Sequence, residues 1–183
     1  MRHARFRDFA QLCSAPQRIC WAVAEHDGQR SICPLGWKMW TSMVPPMIAV
    51  SIAPARFTHD LVVGAGEFVV AWPGADLAQA TLTCGTRSGR DLDKFEACGL
   101  TPKPASQVCA PLVEGCVANL ECRVDGRLTS GDHTIFAAEV VAFWVADEPG
   151  RVLCPIGSAA GYEFLLEQAE NPFGAESDER GEP

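Results

Sequence analysis

Apolar and polar positions change their rhythm along this chain, marking strands towards both ends and short helices in the middle. Residues 19–24 (Ile19-Cys20-Trp21-Ala22-Val23-Ala24) form a near-continuous apolar run, short enough for a strand. His26-Asp27-Gly28-Gln29 follows, and an Asp-Gly pair there is a hairpin signal. A returning segment over residues 31–33 is expected to stop at Pro34. Residues 36–44 read as a second extended run, broken by Pro45-Pro46. Residues 47–52 read as a short strand buried on both faces. Thr58 is placed to cap a helix over residues 59–63, with Asp60 near its positive end and Gly64 and Gly66 stopping it. Residues 67–72 form the next strand, closed by Pro73.

The middle of the chain reads as helical. Asp76 is expected to cap residues 77–83, which stop at Gly85, and Asp91 to start a helix through Cys98, ended by Gly99. Strand pattern resumes at Val117. Leu120, Cys122 and Val124 alternate with Asn119, Glu121, Arg123 and Asp125, which predicts one dry and one wet face. Residues 134–145 are long enough for a bent or bulged strand, and residues 147–150 turn the chain. A parallel α/β sheet needs helices between most of its strands, and this order does not supply them. The pattern therefore predicts a mainly β fold, a closed antiparallel barrel with short inserted helices. Residues 1–18 form a lead-in, 19–169 one domain, and 170–183, rich in Gly, Asn, Pro and acidic residues, a disordered tail.

Composition narrows the function classes. The chain has 183 residues, 48% hydrophobic and 21% charged, enough for one globular domain with a core. No run of eighteen apolar residues exists, and none follows Arg2, Arg5 and Arg7, which argues against a membrane span and a secretory signal. The net charge is −8, but the six acidic residues and one arginine from Glu167 onward carry −5 of it, leaving −3 for the body. Without a basic patch, a nucleic-acid partner is not expected. The nine cysteines are odd in number, include no C-x-x-C, and fall partly in apolar runs, as Cys20 and Cys122 do. They read as reduced core residues of a cytoplasmic protein.

Motif search excludes more than it finds. Gly64-Ala65-Gly66 lacks the third glycine of a dinucleotide fingerprint and precedes a strand. What remains are anion-friendly spots. Arg56 and Thr58 sit at one expected helix start. Ser88-Gly89-Arg90 opens another, with Lys94 one turn in. By spacing alone, ordinary caps with surface cations are the preferred reading of these residues. Trp37, Met39 and Trp40 flank Lys38 and lead into Thr41-Ser42, an apolar wall beside hydroxyls that suits a flat heteroaromatic ring. A barrel core plugged by aromatics explains the same residues.

The order of these segments resembles the FMN-binding split-barrel flavin reductases, especially the flavoredoxin branch. The resemblance rests on Gly36-Trp37, Pro45-Pro46-Met47-Ile48-Ala49-Val50-Ser51-Ile52 and Arg56-Phe57-Thr58-His59. It continues through Gly66-Glu67-Phe68, Cys84-Gly85-Thr86-Arg87-Ser88-Gly89-Arg90, Asp93-Lys94-Phe95, Leu120-Glu121-Cys122 and Gly131-Asp132-His133, over about residues 18–145. It implies a six-stranded antiparallel split barrel of Greek-key topology, a homodimer, and FMN near the subunit seam. Trp37, Lys38, Met39, Trp40, Thr41 and Ser42 would line the ring, with Ser51 and Ile52 beside them. Arg56, Thr58, Ser88, Gly89 and Lys94 would hold the phosphate end. His133 would contact flavin and nicotinamide, and Tyr162 or Phe164 would reach the ring from the C-terminal segment.

The implied activity is transfer of electrons from NAD(P)H through flavin to an acceptor, with a redox partner protein and no membrane or nucleic-acid partner. Two alternatives are an FMN carrier fed by a protein partner and a dimeric binding module without flavin. Relatives often carry Asn six residues before the tryptophan and Thr three before it. Ser31 and Pro34 stand at those places here and bear on flavin affinity.

Overall fold

The computed structural model describes residues 18–147, 152–156 and 163–166. The expected lead-in, the tail from 170, Tyr162 and the side chain of Phe164 lie outside the described part. Strands β1 (Cys20–His26) and β2 (Gln29–Leu35) form the first hairpin, and β3 (Lys38–Met43) and β4 (Pro46–Ile52) the second. Helix α1 (Phe57–Ala65) leads to β5 (Glu67–Pro73). A single 3₁₀ turn (Ala75–Leu77), α2 (Ala78–Thr86) and α3 (Lys94–Cys98) follow. Then come β6 (Pro102–Lys103), β7 (Leu112–Val113), β8 (Cys116–Ser130), β9 (His133–Val145), β10 (Leu153–Ile156) and β11 (Glu163–Leu166).

The main sheet is antiparallel with strand order β2-β1-β5-β8-β9-β4-β3. Its inner face curls around one core. Cys20, Ala22 and Ala24 of β1 share it with Leu35 of β2, Ile48, Val50 and Ile52 of β4, Phe68 and Val70 of β5, and Phe136 and Ala138 of β9. Leu61 and Val62 of α1 join the same core. The mainly β class and antiparallel arrangement match the sequence reading, while the main sheet has seven strands rather than six. The extra strand arises because the chain bends at Gly36, so β2 pairs at one edge of the sheet and β3 at the other.

Local chemistry explains the elements. Asp27 and Gly28 both have positive φ, 49° and 73°, the geometry a tight two-residue hairpin demands. The apolar run of β1 is continuous because both faces are covered. Trp21 and Val23 point away from the barrel core into a second core with Ile32, Val69, Cys84 and Phe95. The Trp21 indole N–H donates to Thr81 Oγ1 at 3.1 Å, and that hydroxyl donates to the Leu77 carbonyl at 2.9 Å, pinning α2 to the sheet.

Six local expectations change. β2 runs through Pro34, tolerated because β2 is an edge strand. The N-cap of α1 is Arg56 and Thr58 lies in the first turn, while Gly66 at φ 70° caps its end as expected. Gly85 does not stop α2, which ends at Thr86. Ser88 does not open a helix: residues 87–92 form turns, and α3 starts after Asp93, whose side chain accepts the Phe95 N–H at 2.8 Å. On β8, the supposed wet face is dry at Asn119 and Glu121, because residues 104–113 fold over it. The outer face of β4 is only half-covered at Met47 and Ser51. No helix among the described residues is long and apolar enough to cross a membrane.

Candidate functional site

Four segments far apart in sequence meet at a cavity of about 190 Å³. β2 brings Ser31, Cys33 and Pro34. The start of α1 brings Arg56, Phe57 and Thr58. The end of α2 and the turn after it bring Cys84 through Gly89, and α3 brings Lys94. All five residues assigned from sequence to an anion site therefore line one space: Arg56, Thr58, Ser88, Gly89 and Lys94. Arg87 joins them as a third cation, one that sequence spacing passed over.

Lys94 is the most constrained of the set. It is buried, and its Nζ donates to the Ile32 and Cys84 carbonyls, both at 2.6 Å. Two of its three donors are thus committed to backbone, and the charge sits against the cavity wall. Burial pushes its pKa below the ordinary lysine value, partly opposed by the neighbouring Cys84 and Cys33. The start of α3 is held by Arg30, which donates twice to Asp93 Oδ2, at 2.8 and 3.0 Å, and lies 4.6 Å from the Phe95 ring centre.

Ser31 carries the clearest sign of a missing partner. Its side chain is 1% exposed, and its hydroxyl has no hydrogen-bond partner. Buried hydroxyls are normally paired, so this one marks a place where a polar ligand atom fits. Gly89 closes over it: a Cβ there would collide with the Ser31 side chain and sit 3.0 Å from the Phe57 ring. Ser88 holds this turn by accepting the Arg90 N–H at 3.2 Å. Arg90 turns outward, donating to Asp60 at 2.5 Å and to the Ala55 carbonyl at 3.3 Å, so it clamps the turn to α1 rather than facing the cavity.

An aromatic residue lies close to this cavity along the chain. Pro34 lines it, and Trp37 is three residues further on, so at most about 10 Å of extended chain separates them. The Trp37 carbonyl accepts the Ser51 N–H at 3.0 Å, tying that tryptophan to the strand that leads into Arg56. The Trp37 ring packs on the His133 ring at 4.8 Å between centroids. His133 Nδ1 lies 2.7 Å from Asp132 Oδ1, and this contact holds the Asp132 carboxyl below the usual carboxylate range.

Lys38, Met39 and Trp40 line a second, largely apolar cavity of about 520 Å³ with Ile48, Trp72 and Leu120. Lys38 Nζ donates to the Arg18 carbonyl. Thr41 sits at a bulge where the β3–β4 register shifts, and it and Ser42 line neither cavity. Ser51 is half-buried, and Ile52 puts its side chain into the barrel core. The ring-wall residues thus divide between two places, while the anion residues converge.

One sheet edge and the end of β9 remote from His133 carry exposed apolar side chains. Met39, Trp40, Met43, Val44, Phe143 and Val145 are all exposed. The chain leaves these large side chains uncovered at one sheet edge and the end of β9.

Comparison with known proteins fits this geometry. Residues 12–157 match the flavin reductase like domain. A protein of Archaeoglobus fulgidus is 39% identical over 105 residues, covering 57% of this chain and 59% of the relative. This chain therefore spans about three fifths of that relative's length. A flavin reductase of Pseudomonas putida is 27% identical over 157 residues, covering 85% of this chain and 89% of the other. Among solved structures, an FMN-binding protein of Thermus thermophilus superposes with a TM-score of 0.78 at 26% identity, covering 94% of this chain and all of that one.

Proposed function

The chain belongs to the flavin reductase-like domain family, and from that premise we propose that it binds FMN and passes electrons from NAD(P)H through it to an acceptor. The observation that carries this reading is the convergence of Arg56, Arg87, Ser88, Gly89 and Lys94 with the unpartnered hydroxyl of Ser31 in the lining of one cavity. A phosphomonoester suits that cavity. It needs a buried cation, short polar side chains and a backbone that approaches closely, and all three are present. Two similar proteins, from Thermus thermophilus and Pseudomonas putida, are an FMN-binding protein and a flavin reductase by name, which supports the choice of ligand.

In this reading Lys94 and Arg56 neutralise the phosphate, Ser31 and Thr58 donate hydroxyl hydrogen bonds near it, and Gly89 leaves room for it. Trp37 and His133 border the ring. FMN, when bound, accepts hydride from a nicotinamide and hands electrons on. The protein's own task is to place the rings, exclude water and supply N–H donors where negative charge builds up. The exposed apolar residues on β3 and at the end of β9 are covered by a second copy of the chain.

The test is spectroscopic. Protein incubated with FMN and dialysed should stay yellow and bleach on anaerobic mixing with NADH or NADPH. A yellow protein that neither nucleotide bleaches is an electron carrier fed by another protein. A colourless one ends the proposal.

Ser31 provides a test in which stability and binding move in opposite directions. Ser31→Ala removes a buried hydroxyl that lacks a partner in the free protein, a penalty of about 1 kcal/mol or more. The apoprotein should melt roughly 2–4 °C higher. The same change removes a donor to the ligand, so FMN affinity should fall about fivefold. Calorimetric melting and fluorescence titration check the two signs. A loss of both stability and affinity would contradict the assignment.

A further inference from the structure

We propose that Cys84 and Cys98 form a reversible disulfide when the protein meets a peroxide, and that this link stiffens the anion cavity. The two sulfurs lie 3.9 Å apart on adjacent helices, α2 and α3, 14 positions apart in sequence. A disulfide needs about 2.05 Å, so the two sulfurs must close roughly half of the gap between them. Neither thiol is tied strongly elsewhere: Cys98 Sγ has only a 3.9 Å contact to the Ala80 carbonyl.

The surroundings divide the roles. Cys84 is buried at 2% exposure, and burial together with the neighbouring Cys98 pushes its thiol up to about 12, so it stays protonated. Cys98 is only partly buried and is the sulfur that peroxide reaches. The Cys98 thiolate takes one peroxide oxygen to become a sulfenic acid, and hydroxide leaves as the O–O bond breaks. The Cys84 sulfur then bonds to that sulfur as its thiol proton passes to the leaving hydroxyl, and the proton shed by Cys98 neutralises the hydroxide. The S–S bond forms, the S–O bond breaks and water departs. The sum is one peroxide and two thiols giving one disulfide and two waters. A dithiol reductant reverses it by exchange.

The link would close a ring that contains half of the residues lining the cavity. Gly85, Arg87, Ser88, Gly89 and Lys94 all lie between the two cysteines, and the Cys84 carbonyl is one of the two anchors of Lys94 Nζ. Cross-linking the ends of a segment removes conformational freedom that a ligand must otherwise restrain on binding. The disulfide form should therefore hold a phosphate-bearing ligand more tightly than the dithiol form. This second half rests on the FMN reading; the formation of the link does not.

The experiment treats the full chain with stoichiometric hydrogen peroxide or with dithiothreitol and maps disulfides by peptide mass spectrometry. FMN affinity is measured for both forms. Trypsin cleavage after Arg87 and Arg90, both exposed within the ring, is followed in parallel. The expected result is a Cys84–Cys98 peptide, FMN bound about threefold or more tightly, and slower cleavage within the ring in the oxidised form. Cys98→Ser should lose all three differences, and Cys109→Ser, at an exposed thiol, should keep them. A linked peptide with slower cleavage but no FMN binding in either form leaves the link standing and overturns the FMN reading. Oxidation that stops at sulfinic acid on Cys98, or joins another cysteine pair, overturns the link. A linked peptide with unchanged cleavage and affinity overturns the stiffening.

Discussion

Lys94→Met is expected to cost roughly a hundredfold in FMN affinity while leaving the fold intact. A hydrogen bond to a charged partner contributes about 1.5–3 kcal/mol, and here the cation is buried, so solvent does little to screen its attraction for a phosphate dianion. Methionine matches the length of the lysine stem and fills the same channel between β2 and α2. Two stability effects oppose each other. The Ile32 and Cys84 carbonyls lose their donor, but the cost of burying an ammonium disappears. Melting temperature should therefore shift much less than affinity. Lys94→Arg should not rescue binding, because a planar fork does not fit a channel built for a point charge.

The same lysine sets a pH dependence of opposite sign for stability and binding. Burial lowers its folded-state pKa below the unfolded value near 10.5. Below the folded pKa both states carry the charge, and the burial cost is fully present. As pH rises towards 10.5 the folded state releases its proton first, so stability of the apoprotein from this group rises. FMN affinity should fall over that same alkaline window, as the cavity loses its cation. Titrations of affinity and melting temperature at matched pH check the two slopes, and Lys94→Met should flatten both.

Glu121→Ala is expected to remove about 1.5–3 kcal/mol of stability, a large share of what a domain this size has. The Glu121 carboxylate is fully buried on β8 and accepts from five donors. These are the N–H groups of Ser106 (2.9 Å), Gln107 (2.5 Å) and Val108 (3.1 Å), the Ser106 hydroxyl (3.0 Å) and the Trp144 indole (2.7 Å). It is the post on which residues 106–108 hang, with Glu67 doing the same for Cys109 at 2.6 Å. Removing it leaves the part-covered donors of residues 106–108 and the Trp144 indole to water, and frees the segment they hold in place. Glu121→Gln should lose nearly as much, because an amide turns two donors towards a nest of donors.

Burial alone would raise the Glu121 pKa. The bonds from Ser106, Trp144 and Gln107 outweigh that and hold it below the usual carboxylate value. Its contribution is therefore present above the unfolded pKa of about 4.5 and is lost as pH falls through the folded one. Urea denaturation of wild type and variants between neutral and acid pH should show the gap narrowing towards low pH. Glu121 lines neither cavity, so FMN affinity at neutral pH should stay within about twofold.

The linear order of apolar runs and turn signals was enough to determine a mainly β chain. Strand period is a local property, and Asp27-Gly28 or Pro45-Pro46 act within a few bonds. Residue type marked Arg56, Thr58, Ser88, Gly89 and Lys94 as anion-friendly, but spacing alone favoured ordinary caps and surface cations. Their meeting at one cavity was a matter for the fold, because β2, α1 and the α2–α3 turn are brought together only by the two cores. The burial of Glu121 and Asn119 was likewise decided in three dimensions. A period-two pattern shows which residues share a face, not what covers it, and here residues 104–113 supply donors that make charge acceptable inside. Ser31 looked like a departure from its relatives; only its enclosure beneath Gly89 makes it a buried hydroxyl without a partner.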